Sequence, residues 1–435
     1  MASIKLDAIL PKFLWNDIKS YLPILDAIKL IQSSNQFKSM FTENDWKDIF
    51  LNNRPYDIAI VKNVDETSPT FWHTCCETYV GCDTIKAMIE SIGYQKYDRT
   101  FREWYGDGYN MVSFKNRINY GGDQTMLYKY GPADHFRVYI KNITLMWDGI
   151  DNTVDTIMLN ETFGDISLEA AMMTDGRVDI KFNPNYKIEI IGSYYKGEQT
   201  TFKSTRQWMN IIIPQYFSIS NIIFDNISLD LNSSFINYTM NFYYKKRSVI
   251  ISNCIFNKHD LSFDYFEDVL ITRCRFDNSR INLIRSKMSD YQFSKNKSAI
   301  VIQDNIFGNN KASCIVMAMY RSNSTLVVSD NKFICCHSLF SNFERFKPNS
   351  VKPVIFRNNY ISDVQYLGFD RMTINLQANV FRHVTNLYRN IEFQPIGNMR
   401  VDYNNEFTDC DTITPLVEDR VDIDKCNSKS NCILC

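Results

Sequence analysis

The chain has 435 residues, a net charge of −1, 45% hydrophobic residues and 14% aromatic ones. That content supports a substantial core and excludes a disordered polymer, and the balanced charge removes the basic excess that nucleic acid or anionic lipid would need. No segment has the layout of a signal peptide and no apolar run reaches the roughly 18 residues of a membrane span, so we expect a cytoplasmic protein without stable membrane insertion.

The twelve cysteines stand singly or as adjacent pairs (Cys75-Cys76, Cys335-Cys336), unlike the dense frameworks of small secreted domains. Reduced, buried thiols are therefore expected. The sequons at Asn142 and Asn323 reflect a chain rich in Asn, Ile and Lys. That bias also suits a large DNA virus, in which case the location becomes the host cytoplasm.

Residues 1–50 read as a small helical domain. Phe13, Leu14, Ile18, Tyr21 and Leu22 follow helical spacing, Pro23 interrupts it, and Leu25, Ile28, Leu30 and Ile31 resume it. Phe37, Met40 and Phe41 predict a third helix, and Trp46, Ile49 and Phe50 close the unit. Pro11 fits a first helical turn, where a missing N–H is no loss.

This segment resembles an F-box, whose pattern joins Leu-Pro, an Ile-x-x-Tyr-Leu helix, an Asp-Leu-leucine helix, a Val-Ser-Lys-x-Trp/Phe step and a later Trp. Leu10-Pro11, Ile18, Tyr21-Leu22, Leu25-Asp26, Ile28, Ser34, Phe37 and Trp46 occupy those places, whereas Ala27, Ser33 and Asn35 depart from it. The resemblance implies docking onto the Skp adaptor of a cullin-based ubiquitin ligase, with Leu10, Pro11, Ile18, Leu22, Leu25, Ile28 and Ile31 as the apolar contact surface. A plain helical cap on the following domain is the alternative.

Residues 51–129 read as a mixed linker subdomain. Ile85, Met88, Ile89 and Ile92 lie on one face of a predicted helix over 83–93, and the surrounding glycine-rich stretches carry turn signals.

From about residue 130 to 416 one seven-residue phrase recurs, as in "IISNCIF" (250–256), "VIQDNIF" (301–307) and "VVSDNKF" (327–333). Its closing aromatic falls at Phe224, Phe256, Phe276, Phe307, Phe333, Phe381 and Phe407, with Ile361 substituting once. Apolar residues sit five and seven positions earlier, which is strand periodicity, and Asn or Asp fills the offsets between. A fixed strand phrase with variable spacing predicts a repeat that stacks on itself about every 4.8 Å. The expected fold class is therefore mainly β, a right-handed parallel β-helix solenoid behind the F-box-like domain, and the whole arrangement resembles F-box proteins with a pectin-lyase-like repeat domain. Asn suits its turns because it tolerates left-handed backbone. Weaker copies extend upstream at Asn142/Leu145, Asn160/Phe163 and Gly192/Tyr195, and the last copy slips by one, placing Asp402 where an apolar residue belongs.

Residues 417–435 form a polar tail ending Cys432-Ile433-Leu434-Cys435, similar in form to a prenylation box but with an unusual last residue.

Nothing in the sequence carries catalysis. There is no Asp-Asp pair and no Gly-His-Gly, so the carboxylates that glycoside hydrolysis needs are not apparent. His73 with Cys75, Cys76 and Cys82 is poorly spaced for zinc. The expectation is a non-enzymatic adaptor with no catalytic, cofactor or metal residues, whose repeat face captures a target protein. A structural component of a particle or fibre, and a carbohydrate-active enzyme, are the alternatives.

Overall fold

The computed structural model describes residues 12–98, 134–147, 178–182, 186–195, 198–204, 208–212, 214, 216–232, 248–264, 268–284, 299–318, 325–342, 354–368, 374–385, 399–401 and 404–410. Among these, three sheets hold twelve, eleven and eight strands. The chain visits them in a fixed order. One pass runs Ser248–Ser252 in the first sheet, Ile255–Asn257 in the second and Leu261–Asp264 in the third. The next pass then enters the first sheet at Asp268–Thr272. Pairing between successive passes is parallel and in register, so the protein is mainly β, built of long parallel sheets behind N-terminal helices.

Register explains the recurrent phrase. In the first sheet Ile219, Ile251, Ile271, Ile302, Val328, Phe356 and Leu376 stand one above another, all pointing inward. In the second sheet the phenylalanines do the same, with Ile361 in the same column between Phe333 and Phe381. Val401 pairs with Leu376, so one extra residue separates it from Phe407 in the final copy. Identical apolar positions thus fill one continuous core.

Two residues separate the first-sheet and second-sheet strands, and they have different tasks. The first takes left-handed backbone: Asn221, Asn253, Arg273, Asp304, Asp330, Asn358 and Ala378 have φ between 49° and 60°. The second points inward. Asn305, Asn331, Asn359 and Asn379 are buried, and each donates its Nδ2–H to a strand carbonyl one pass earlier and to the Oδ1 of the next asparagine. Cys274 and Cys254 continue this column, their thiols donating to the carbonyls of Ile251 and Ile219. In the next turn the Cys336 thiol and the Ser279 hydroxyl reach Phe307 O and Phe256 O in the same way. Burial pushes the Cys274 and Cys314 thiols well up, and all nine cysteines among the described residues are free thiols.

The upstream copies differ in one place. Phe202, not Tyr195, takes the aromatic position, pairing with Leu145 on one side and Phe224 on the other. A short antiparallel hairpin, Tyr194–Tyr195 against Gln199–Glu198, is inserted after Ser193 and shifts the frame. The copy at Asn160/Phe163 lies outside the described residues, as does the tail with Cys432.

Six helices precede or flank the first pass: α1 Lys12–Tyr21, α2 Ile24–Ser33, α3 Asn35–Met40, α4 Glu43–Asn52, α5 Phe71–Thr78 and α6 Ile85–Ile92. Four of them lie in residues 12–52, where the apolar spacing predicts three and a closing segment. Pro23 separates α1 from α2, and Thr42 starts α4 with a reciprocal capping box to Asp45. Thr84 accepts from Ala87 N to start α6, and Gly93 ends it in left-handed backbone. The apolar face of α6 joins the core of the stack, covering its first pass. Helices α1 to α5 instead share a second core with Ala59, Val61 and Tyr139 on the outer face of the first sheet.

Candidate functional site

The α1–α4 unit is tied together from inside. Trp15, Ile24, Ala27, Ile31, Phe41 and Trp46 are buried, and Lys19 crosses from α1 to α4, donating to Asp45 Oδ2 at 2.8 Å and Met40 O at 3.0 Å. Burial alone would raise the Asp45 carboxyl, but its bonds to Lys19 and Thr42 hold it below the usual carboxylate range. Arg54 anchors the unit to the sheet without any carboxylate. Its guanidinium donates to the carbonyls of Phe50, Leu51, Tyr56, Asp57 and Tyr139, and burial lowers it to about 10.

The opposite side of the unit is apolar and open. Leu14, Ile18 and Tyr21 recur at four and three residues along α1, and Leu25 follows on the first turn of α2. Tyr21 is 82% exposed and Leu25 60%, so this small unit leaves a group of large apolar side chains in water.

Of the residues expected at an adaptor contact, Ile18 and Leu25 lie on this face, while Leu22 and Ile28 are half-buried against the helical core. Ile31 does not belong: it is 9% exposed, facing inward with Ile24 and Ala27. A helix with apolar residues on both sides cannot reveal from its own sequence which side meets α4 and α5. Leu10 and Pro11 lie outside the described residues. Leu14 and Tyr21 are the additions, and their helical spacing is the signal that could have found them.

The remaining chemistry is sparse. Among the described residues no group of three His, Cys, Asp or Glu side chains could hold a metal ion. Burial pushes the Cys75 thiol up to about 12 and Cys76 further still, opposing the thiolate that zinc requires. Ser228 Oγ approaches His259 Nδ1 at 3.4 Å, but Ser228 is buried, and the other ring nitrogen bonds Asn226 Oδ1. That arrangement joins neighbouring turns and leaves a substrate no approach to the hydroxyl. Among the described residues no helix is long and apolar enough to cross a membrane.

No family model, no curated protein and no solved structure matches the chain. Its function must therefore be argued from its own geometry.

Proposed function

We propose that the protein is a substrate-recognition adaptor of a cullin-based ubiquitin ligase. In this reading the α1–α4 unit acts as an F-box on the Skp adaptor, and the stacked sheets form a right-handed parallel β-helix that holds a target protein. Ubiquitin transfer belongs to partners, and the chain itself performs no chemistry.

The observation that carries the reading is the open apolar row Leu14, Ile18, Tyr21 and Leu25 on a unit whose other described apolar residues are buried or half-buried. A helical cap would turn its apolar face toward the stack. Here α6 already covers the first pass, and Leu14, Ile18, Tyr21 and Leu25 stay exposed outside the core that α1 to α5 share with the sheet. The F-box spacing in the sequence supplies the identity of the partner.

The test is a pull-down of the purified Skp adaptor by the full chain, repeated with Leu25→Asp and Tyr21→Asp. Binding that both substitutions abolish, with far-UV circular dichroism unchanged, supports the reading. An intact protein that does not bind the adaptor overturns it.

A second reading, a structural component, rests on a different observation. Ile250, Leu270, Val301, Val327 and Ile355 form an outward-facing aliphatic column on the first sheet, half-buried rather than fully exposed. Incorporation into a large assembly without adaptor binding would favour it.

A further inference from the structure

Among the described residues the turn between the first and second sheets is two residues long in six passes. An earlier pass carries an inserted hairpin there instead, Tyr194–Tyr195 against Glu198–Ser204. From it Gln199 Nε2 reaches Asn253 O, two passes further on, at 3.4 Å. Beneath it lies a groove of about 450 Å³ lined by Gln199, Asn221, Asn253, Ile255, Arg273 and Arg275.

The chemistry of this groove is one-sided. Two guanidinium groups and three carboxamides line it, and among the described residues no lining residue is acidic. Arg275 is oriented by Asp277, which takes its Nε–H, and among the described residues nothing takes its terminal N–H groups. Arg273 is exposed, and among the described residues no carboxylate pairs with it, although Asp304 occupies the corresponding position one pass on.

Arg273 is also an anomaly of backbone. Its φ is 55°, at a position that five of the other six turns give to Asn or Asp. Those residues tolerate left-handed backbone because their short polar side chains bond locally, which arginine cannot do. An arginine kept there works against local preference, in a chain whose net charge is −1 and which has no basic excess to account for it.

We propose that this groove binds an anionic side chain, a carboxylate or a phosphate, presented by an extended peptide. Planar guanidinium groups pair with either anion through two parallel N–H donors, and the flanking carboxamides are suited to the peptide backbone beside it. The apolar floor at Ile255 accommodates a neighbouring residue. Nucleic acid does not fit, because two arginines in a near-neutral chain cannot follow a phosphate backbone. As the site that reads a target the groove rests on the adaptor reading above, but its preference for an anion does not.

The experiment titrates the full chain with acetylated Ala-Ala-X-Ala-Ala peptides, X being Ser, Glu or phosphoserine, by microscale thermophoresis. At least tenfold tighter binding of the Glu or the phosphoserine peptide over the Ser peptide is expected, and the two charged arms tell carboxylate from phosphate. Arg273→Asn restores the residue type usual at this turn, so folding is not at risk. It should abolish the preference while leaving the melting temperature and the adaptor pull-down unchanged. Equal binding of all three peptides, a preference that survives Arg273→Asn, or tighter binding of an oligouronate than of any peptide would each overturn the proposal. Loss of the adaptor pull-down in the wild-type chain, with the peptide preference intact, would instead strike only the adaptor reading.

Discussion

Phe276 and Phe307 lie ring on ring, their centroids 4.8 Å apart and their planes 9° from parallel. Each is fully buried and each repeats the contact with its other neighbour, Phe256 at 5.0 Å and Phe333 at 4.8 Å. The separation equals the spacing between parallel strands, so the backbone sets the stacking and the side chain only has to be flat. Truncating Phe276 to Ala leaves a cavity that the neighbouring rungs cannot close, and about 3–5 kcal/mol of stability should be lost. Phe276→Ile should cost less, because Ile361 occupies the same column without interrupting it. Urea unfolding of the two variants measures this, and an isoleucine as damaging as the alanine would contradict it.

The asparagine column makes a sharper distinction between adjacent residues. Asn331 accepts from Asn305 N and Nδ2 through its Oδ1, and its own Nδ2 donates to Ile302 O and Asn359 Oδ1. Asn331→Ala leaves those partners buried and unpaired, at about 1–3 kcal/mol for each group that water cannot reach. Asn358, one residue before the next rung of the column, is exposed and contributes mainly its tolerance of left-handed backbone. Asn358→Ala should cost about 1 kcal/mol, and Ala378 already stands at the equivalent place. Equal losses for the two variants, read from their urea midpoints, would mean that the buried bonds contribute nothing beyond backbone preference.

The repeated phrase was legible because a parallel stack imposes the same burial on every pass: period-two Ile and Val, a closing Phe, Asn between them. What was hidden is whatever acts across passes. The sequence shows that Asn recurs in the turn but not that the first of the two residues bends the chain while the second bonds along the stack. Nor does it show that Cys254 and Cys274 stand in for asparagine, since a thiol donor to a carbonyl one pass back has no local signature. Phe202 was missed because the hairpin before it shifts the count, and that insertion builds the groove around Arg273. In the helices the failure has another cause. Ile31 and Tyr21 are both apolar at helical spacing, and only the positions of α4 and α5 decide which one is covered.

That difference is measurable without any partner. Ile31 packs with Ile24 and Ala27 inside the helical core, so Ile31→Ala should destabilise the α1–α4 unit by about 2–3 kcal/mol. Leu25 lies on the open face, and Leu25→Ala should change stability by no more than about 0.5 kcal/mol while weakening adaptor binding. Hydrogen exchange of the α2 amides, together with the pull-down, separates the two effects. A strongly destabilised Leu25→Ala protein would show that the open face is internal packing instead.

The junction between the helical unit and the first sheet contributes a pH dependence of known sign. Glu189 Oε1 lies 2.8 Å from His135 Nε2, and Arg137 donates its Nε–H to Glu189 Oε2 at 3.3 Å. Arg137 also pairs with Glu66 and donates to Val64 O, so Glu189 helps to hold the residues leading into α5 against the sheet. Burial by itself would raise the Glu189 carboxyl, but the bonds from His135 and Arg137 outweigh it and leave it below the ordinary value of 4.5. A carboxyl that is more acidic folded than unfolded stabilises the fold fully above its unfolded value, and that stabilisation is lost as pH falls through the folded one. Stability should therefore fall as the medium is acidified below about pH 4.5, the unfolded chain then binding the extra proton. Glu189→Gln should lower stability at neutral pH and flatten the slope in that acid window. If urea midpoints of the wild-type and Glu189→Gln proteins run parallel through the window, the helical unit is held to the sheet by its apolar core and by Arg54, without a measurable share from this carboxylate.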